Sequence, residues 1–317
     1  MPILALPRRL LSAGVLGINA RNTRYVADGN PRHRMPDVND KVRTKELAAK
    51  ADVPTPALYG VIEIHAQIRH LERMVDGRET FVVKPANGAQ GDGILVIAGR
   101  NRMGWRLASG AVMRDAQVHQ HISNMLSGMY SLNGIEDRTM LEETVQFADV
   151  FDGLAEAGVP DIRVIVYRGV PVMAMARIPT RESDGKANLH KGGIGLGVAL
   201  ASGKTTLGVQ HDRVIDEHPE TGQQLSGIQL PDWRSILSMA SRCYEPSGLD
   251  YLGIDIVFDE ERGPLLLELN GRPGLAVQLA NRTGLDARLR RVIADRAFDM
   301  GPEERIDYAM RTFDPPI

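Results

Sequence analysis

"LLLELNGRPG", residues 265–274, begins as an apolar strand and ends on two oxygen-bearing side chains, Glu268 and Asn270, spaced two apart. Alternate residues of a strand point to one face. Both therefore emerge together, just ahead of a turn made of Gly271, Arg272, Pro273 and Gly274. The stretch before it, "YLGIDIVFDEERGP" at 251–264, reads as a partner strand closed by an acidic turn near 260–263. Asp255 then falls roughly opposite Glu268, and three oxygen donors share a face. Oxygen donors without His or Cys suit a hard cation such as Mg²⁺, which keeps positions open for nucleotide phosphates. Solvated edge residues are the competing explanation, but "LLLEL" is too apolar for an exposed edge.

Further out, "TFVVKP" at 80–85 and "ILVIAG" at 94–99 flank the glycine-rich "ANGAQGDG" and read as a hairpin. Lys84 stands at the strand end, followed by Gly88, Gly91 and Gly93. Glycines let backbone N–H groups approach an anion, and a lysine adds a point charge. A plain glycine-rich hairpin turn explains the stretch equally well. "DIRVIVYRG" and "VPVMAMARIP" form another hairpin about Arg168-Gly169, and "TMLEETV" at 139–145 is a strand. Asn39 or Asp40 caps a helix whose first turn holds Lys41, a poor place for a cation beside the positive helix end. "VIEIHAQIRHLERMV" at 61–75 has helical periodicity through Ile64, Ile68, Leu71 and Val75. "DWRSILSMASRCYE" at 232–245 is an amphipathic helix. Residues 21–39 read as a polar surface loop and 180–213 as a long, mobile, functional one. Hairpins followed by helices favour α+β sheets packed as lobes.

The 317 residues, 43% hydrophobic and 25% charged, are globular in composition, and their length suits about two domains. A formal net charge of −2 gives no reason to invoke nucleic acid. No run approaches a membrane span. The apolar start, residues 1–20, is split by Pro7-Arg8-Arg9 and reads as an amphipathic helix packed on the body, so a cytoplasmic location is expected. Cys243 is alone, which excludes an intramolecular disulfide and a CxxC metal site. Three motifs are decoys. "SGKTTLG" needs a glycine where Val198 stands to be a P-loop. "GGIGLG" lacks dinucleotide-fold spacing, and His119 with His121 on one strand face has no third ligand in view.

Taken in order, Lys41, "VVKP", "GAQGDG", "LEETV", "DIRV", "NLHKGG", "GIDIVF" and "ELNGRPG" resemble the ATP-grasp ligases, and most of all the RimK-type α-L-glutamate ligases. The resemblance runs from about Lys41 to Leu275. It implies an ATP-grasp fold in which two antiparallel sheets clamp ATP, with a reduced N-terminal domain (1–39). The ATP-grasp domain would span 40–300, with a small lobe at about 80–146 and a metal-binding lobe at 147–300, ahead of a tail at 301–317. The implied reaction joins a carboxylate to an amine through an acyl phosphate, plausibly adding glutamate or another amino acid to a small molecule or peptide. ATP and Mg²⁺ are the implied cofactors, with Mn²⁺ as the alternative ion, and the family often forms homo-oligomers.

Position by position, the resemblance puts Lys41 and Lys84 on the phosphates, under the glycine loop bearing Gly88, Gly91 and Gly93. Glu143, with the backbone of Thr144 and Val145, would meet the adenine edge. Asp161 would lie by the ribose, with Lys186 and Asn188 approaching the nucleotide. Asp255, Glu268 and Asn270 would hold Mg²⁺. Arg163, Arg177 and Arg272 would steady the acid substrate or its acyl phosphate, since a guanidinium grips oxyanions in bidentate fashion. Arg272 stands where the RimK pattern has a small residue, which suggests an anionic substrate. The alternative is a catalytically inactive nucleotide-binding module that acts through partner contacts.

Overall fold

A computed structural model describes residues 5–88, 91–131, 134–155 and 158–313, with the side chains of 5–8 left aside. The chain divides into two compact units. One comprises Asp40–Val42 and Thr55–Gln146, the other Met1–Asn39, Arg43–Pro54 and Phe147–Ile317.

The smaller unit is built on strands β1 (Leu58–Ile62), β2 (Phe81–Pro85), β3 (Leu95–Asn101), β4 (Gly104–Leu107), β5 (Val112–Met113) and β6 (Thr139–Glu142). They form an antiparallel sheet in the order β1-β6-β2-β3-β4-β5. Alternation sorts its faces. Phe81 and Val83 pack with Ile97, Trp105, Leu141 and the apolar side of the helix Asp115–Leu126. Lys84 pairs in register with Met140, and Val82 with Glu142, so these four side chains share the opposite face. The β2–β3 hairpin forms as the sequence indicates.

Two readings of this unit change. Residues 61–75 are not one helix: β1 ends at Ile62, a 3₁₀ turn covers His65–His70, and a short helix covers Leu71–Val75. Val61 and Ile62 are β-branched and pair with Met140 and Thr139, so strand pairing overrides the helical period. His119 and His121 lie on the helix Asp115–Leu126 rather than on a strand.

The larger unit contains β7 (Asp161–Tyr167), β8 (Val170–Ile178), β9 (Ile194–Val198), β10 (Thr205–Gln210), β11 (Arg213–Ile215), β12 (Tyr251–Asp259) and β13 (Gly263–Asn270). Their antiparallel sheet runs β11-β10-β9-β8-β7-β12-β13. All nine residues of β12 are buried, which explains the apolar composition around Asp255. Residues 180–213 are thus not one irregular loop, because β9 and β10 lie within them. Gly195 and Gly197 hide that strand: an added Cβ would lie 2.7 Å from Leu189 and 2.4 Å from the Ala280 carbonyl. Close approach to neighbours explains glycine in a strand interior.

Residues 21–39 are not a surface loop either. They form short helical turns that bury Tyr25, Val26 and Val38 in the larger core. The starting segment does form a helix, Ala5–Ser12, but Leu10 and Leu11 are exposed and the chain docks through buried Leu16 instead. Among the described residues, no helix is long and apolar enough to cross a membrane.

Candidate functional site

The decisive geometry lies in the β12–β13 hairpin. Counting back from its turn, Asp259 faces Gly263 and Ile256 faces Leu266. Uninterrupted pairing would then set Leu267 against Asp255. Instead the register shifts between Asp255 and Ile256, and Glu268 faces Asp255 while Asn270 faces Gly253. One extra residue in one strand is a β-bulge, and a one-residue change of register decides which side chain meets which partner. The bulge takes up Leu267 and brings Asp255, Glu268 and Asn270 to one face. Asn270 Nδ2 lies 3.3 Å from Asp255 Oδ2 and 3.4 Å from Glu268 Oε1.

The same face continues across the sheet. Arg163 on β7 is the register partner of Asp255, and Asp161 is that of Arg177 on β8. Arg163 grips Asp255 with two donors, Nε to Oδ1 at 2.7 Å and Nη2 to Oδ2 at 2.5 Å. Arg177 donates to Asp255 Oδ2 at 2.8 Å and embraces Asp161 with Nε and Nη2. The Asp255 side chain is 2% exposed, and those of Arg163 and Arg177 are 12% and 13% exposed. Burial alone would raise the Asp255 pKa, but the two guanidinium groups outweigh it and hold the carboxyl well below the usual range. Asp161 shares its guanidinium with Asp255. Burial, opposed by Arg177 and reinforced by the Asp255 charge, pushes it up to about 6.

This donor set fits Mg²⁺. Among the described residues no group of three or more His, Cys, Asp or Glu side chains forms a metal cage. Two carboxylates and one amide are what a cation with few protein ligands uses. Asn30, which the sequence reading passed over, fixes the hairpin's open end. Its Nδ2 donates to the carbonyls of Tyr251 and Gly271, and its Oδ1 accepts from Tyr251 N–H. Gly253 lets Pro273 pack closely, since a Cβ there would meet Pro273 at 2.6 Å. Arg272 is exposed and, among the described residues, makes no ion pair with the three candidate ligands; its carbonyl accepts from Arg21. Lys186 and Asn188 lie in the β8–β9 connection, where Asn188 Oδ1 accepts from His190 N–H at 3.0 Å.

The smaller unit gathers a second polar group. Lys84 forms an ion pair with Glu142, their side chains 8% and 5% exposed. Lys41 Nζ donates to the Gly88 carbonyl at 2.6 Å. Asp40 is the cap of the helix beginning at Lys41, its Oδ1 accepting from Val42 N–H at 2.9 Å. The glycine stretch is anchored at both ends. Asp137 accepts from Asn87 N–H and Nδ2 and from Ser131 Oγ, and the Gly93 carbonyl lies 2.8 Å from His121 Nε2. A carbonyl only accepts, so His121 is the donor there.

Two of the glycines answer a steric need. A Cβ on Gly88 would lie 2.3 Å from Pro85, and one on Gly93, at φ +80°, would lie 2.6 Å from the Tyr130 ring. Gly91 also has positive φ, +74°. Ala89 and Gln90 lie outside the described residues. Glu143 exchanges hydrogen bonds with Ala57, Thr144 Oγ1 is buried without a hydrogen-bond partner among the described residues, and Val145 is buried. Glu142 and Asp137 were missed in the sequence. A strand-parity argument on "TMLEETV" points Glu142 to the Met140 face, but only the β2–β6 register reveals Lys84 there.

Comparison with known proteins gives the family. Residues 20–294 match the model of the sugar-transfer associated ATP-grasp family. A probable alpha-L-glutamate ligase of Parasynechococcus marenigrum is 25% identical over 236 residues, covering 74% of this chain and 36% of that protein. A ribosomal protein bS6–L-glutamate ligase of Salmonella paratyphi B is 25% identical over 247 residues, covering 78% of this chain and 60% of its own length. The chain therefore spans less than two thirds of these relatives. Among solved structures, the biotin carboxylase domain of Hydrogenobacter thermophilus 2-oxoglutarate carboxylase, in complex with MgADP, ADP and bicarbonate, matches with a TM-score of 0.48 at 13% identity, covering 81% of this chain and 45% of that one. The matched span takes in both sheets and every candidate residue from Lys41 to Arg272, and the chain belongs to the sugar-transfer associated ATP-grasp family.

Proposed function

We propose that this protein is an ATP- and Mg²⁺-dependent carboxylate–amine ligase that transfers the γ-phosphoryl of ATP to a carboxylate, releasing ADP, and lets an amine displace phosphate from the acyl phosphate to form an amide. The observation that carries the reading is the bulged β12–β13 hairpin, which gathers Asp255, Glu268 and Asn270 beside Arg163 and Arg177 on one sheet face. Asp255, Glu268 and Asn270 would hold Mg²⁺, and the bound ion would neutralise charge on the phosphates. The arginines would bind oxyanions at the same face. Lys84, Lys41 and the anchored glycine stretch supply cationic and backbone donors for phosphate, and residues 143–145 are assigned to the adenine edge. Catalysis then rests on positioning and charge neutralisation, with no protein nucleophile.

Glutamate ligases among the relatives favour an amino acid as one substrate. The sugar-transfer association of the family favours a saccharide-linked acid or amine as the other. A cytoplasmic location and a homo-oligomeric state accompany this reading. Purified protein should release ADP from Mg·ATP only when both an acid and an amine are supplied, and mass spectrometry of a panel of amino acids, short peptides and sugar acids should show the amide. Thermal stabilisation by nucleotide with no turnover on any pair would instead identify an inactive binding module.

A further inference from the structure

Both oxygens of Asp255 are already engaged. Oδ1 receives Arg163 Nε, while Oδ2 receives Arg163 Nη2, Arg177 Nη2 and the Asn270 amide. A divalent ion bound to Asp255 would have to share or displace these donors. The formal charges point the same way. Two guanidinium groups face the two carboxylates they grip, Asp161 and Asp255, so these four side chains are formally neutral. A free divalent ion would turn that balance positive in a buried setting where like charges repel strongly. A metal that arrives with a polyphosphate brings its own negative charge, and phosphate oxygens accept guanidinium N–H groups in the same bidentate manner as a carboxylate. The two arginines differ in what they would give up. Arg177 keeps its two-donor grip on Asp161 when it leaves Asp255, whereas the described residues give Arg163 no ion-pair partner but Asp255.

We propose that Arg163 and Arg177 are resident counter-cations that keep free divalent ions off Asp255 and yield its carboxylate to metal accompanied by a polyphosphate, with Arg163 passing from Asp255 to the phosphate. This rests on the ATP and Mg²⁺ reading above and deepens it. It makes Arg163 a positioning residue for the metal and a binding residue for the nucleotide, and it makes metal and nucleotide binding mutually dependent.

The test is calorimetric titration with MnCl₂, with and without ADP, on wild type, Arg163→Gln and Arg163→Lys. Wild type should bind free Mn²⁺ weakly. Arg163→Gln removes one positive charge and frees Oδ1, so free Mn²⁺ should bind on the order of tenfold tighter, and Mn·ADP on the order of tenfold weaker. Arg163→Lys, which keeps the charge but not the fork, should fall between. Arg177 still pairs with Asp255 in these variants, and thermal unfolding confirms that they fold. Adding Glu268→Gln to Arg163→Gln should abolish the gain, locating the ion at this face. Free Mn²⁺ binding unchanged or weakened in Arg163→Gln, or a gain that survives Glu268→Gln, overturns the proposal. Those results leave the ligase reading intact as long as wild type binds Mn·ADP. Nucleotide affinity of the wild type that is indifferent to Mn²⁺ and to Glu268→Gln alone would sink that reading itself.

Discussion

On the seven-stranded sheet, Arg177, Asp161, Arg163, Asp255, Glu268 and Asn270 occupy facing positions on four adjacent strands, and Asp255 and Arg177 link them, each bound to more than one of the others. On the six-stranded sheet, Lys84 and Glu142 are buried as a pair beside Met140. The first arrangement is a lattice, in which removing one member strands several others. The second centres on one buried ion pair, which an apolar pair of similar volume can replace. The difference separates what each site owes to stability from what it owes to chemistry.

Asp255→Ala should therefore have the largest effect. It leaves Arg163 without its bidentate partner and Arg177 with one partner fewer, both largely buried. Removing one side of a buried ion pair costs about 3–5 kcal/mol, and the upper end is expected here. Denaturant unfolding measures the loss, and Mn·ADP binding should vanish with it. Asp255→Asn, which keeps hydrogen-bonding oxygen in place, should unfold closer to wild type yet bind Mn·ADP no better than the alanine variant.

The Lys84–Glu142 pair should behave differently. Glu142→Leu alone strands a buried ammonium and should cost about 3 kcal/mol, at the low end for breaking such a pair. Adding Lys84→Met should restore stability to within about 1 kcal/mol of wild type, because apolar replacement of a buried pair is often neutral or better. ADP affinity should be lost in the double variant, which lacks Lys84. If the double variant is as unstable as the single, the pair is tied into the fold as tightly as the lattice is, and the contrast between the sheets disappears.

Gly93→Ala tests a smaller effect in the same unit. Its positive φ and the 2.6 Å approach of an added Cβ to the Tyr130 ring make alanine strained. Strain of this kind costs of order 1–3 kcal/mol. A weakened ADP affinity beyond the stability loss would mark the glycine stretch as a nucleotide contact, whereas unchanged affinity would leave it a structural turn.

How much of this was legible in the sequence follows from the range of the interactions. Asp255, Glu268 and Asn270 could be placed together because a hairpin is local and strand alternation is rigid. The bulge at Leu267 that delivers the pairing left no mark in the residue types. Arg163 and Arg177 belong to a second readable hairpin, but their grip on Asp255 depends on β7 lying beside β12, across some ninety residues of chain (Arg163 to Asp255, 92 apart). Two adjacent carboxylates, Glu142 and Glu143, could not be told apart without the β2–β6 register. The strand β9 was hidden by glycines that neighbouring groups require. Asn30, in a stretch of Arg, Asn and Pro, gives no local sign that it fastens a distant hairpin.

The smallest effect expected concerns the larger unit alone, where the lone Cys243 sits, 2% exposed, with Sγ donating to the Met239 carbonyl. Burial pushes its thiol up to about 12, from a usual value of 9.0. A raised folded pKa means that the protonated thiol is favoured by the fold. Its contribution to stability is fully present below pH 9 and is lost as the pH climbs toward 12. In the native protein Cys243 should resist alkylation at pH 8, because the thiolate is the reactive form and access is closed. Alkylation then reports opening of the larger unit without any signal from the smaller one, which has no cysteine. Asp255→Ala should speed labelling about tenfold for each ~1.4 kcal/mol of stability lost, where opening is fast relative to labelling. The Lys84→Met, Glu142→Leu double variant should leave the rate unchanged. Equal acceleration in both would mean that the lattice confers no protection particular to its own sheet.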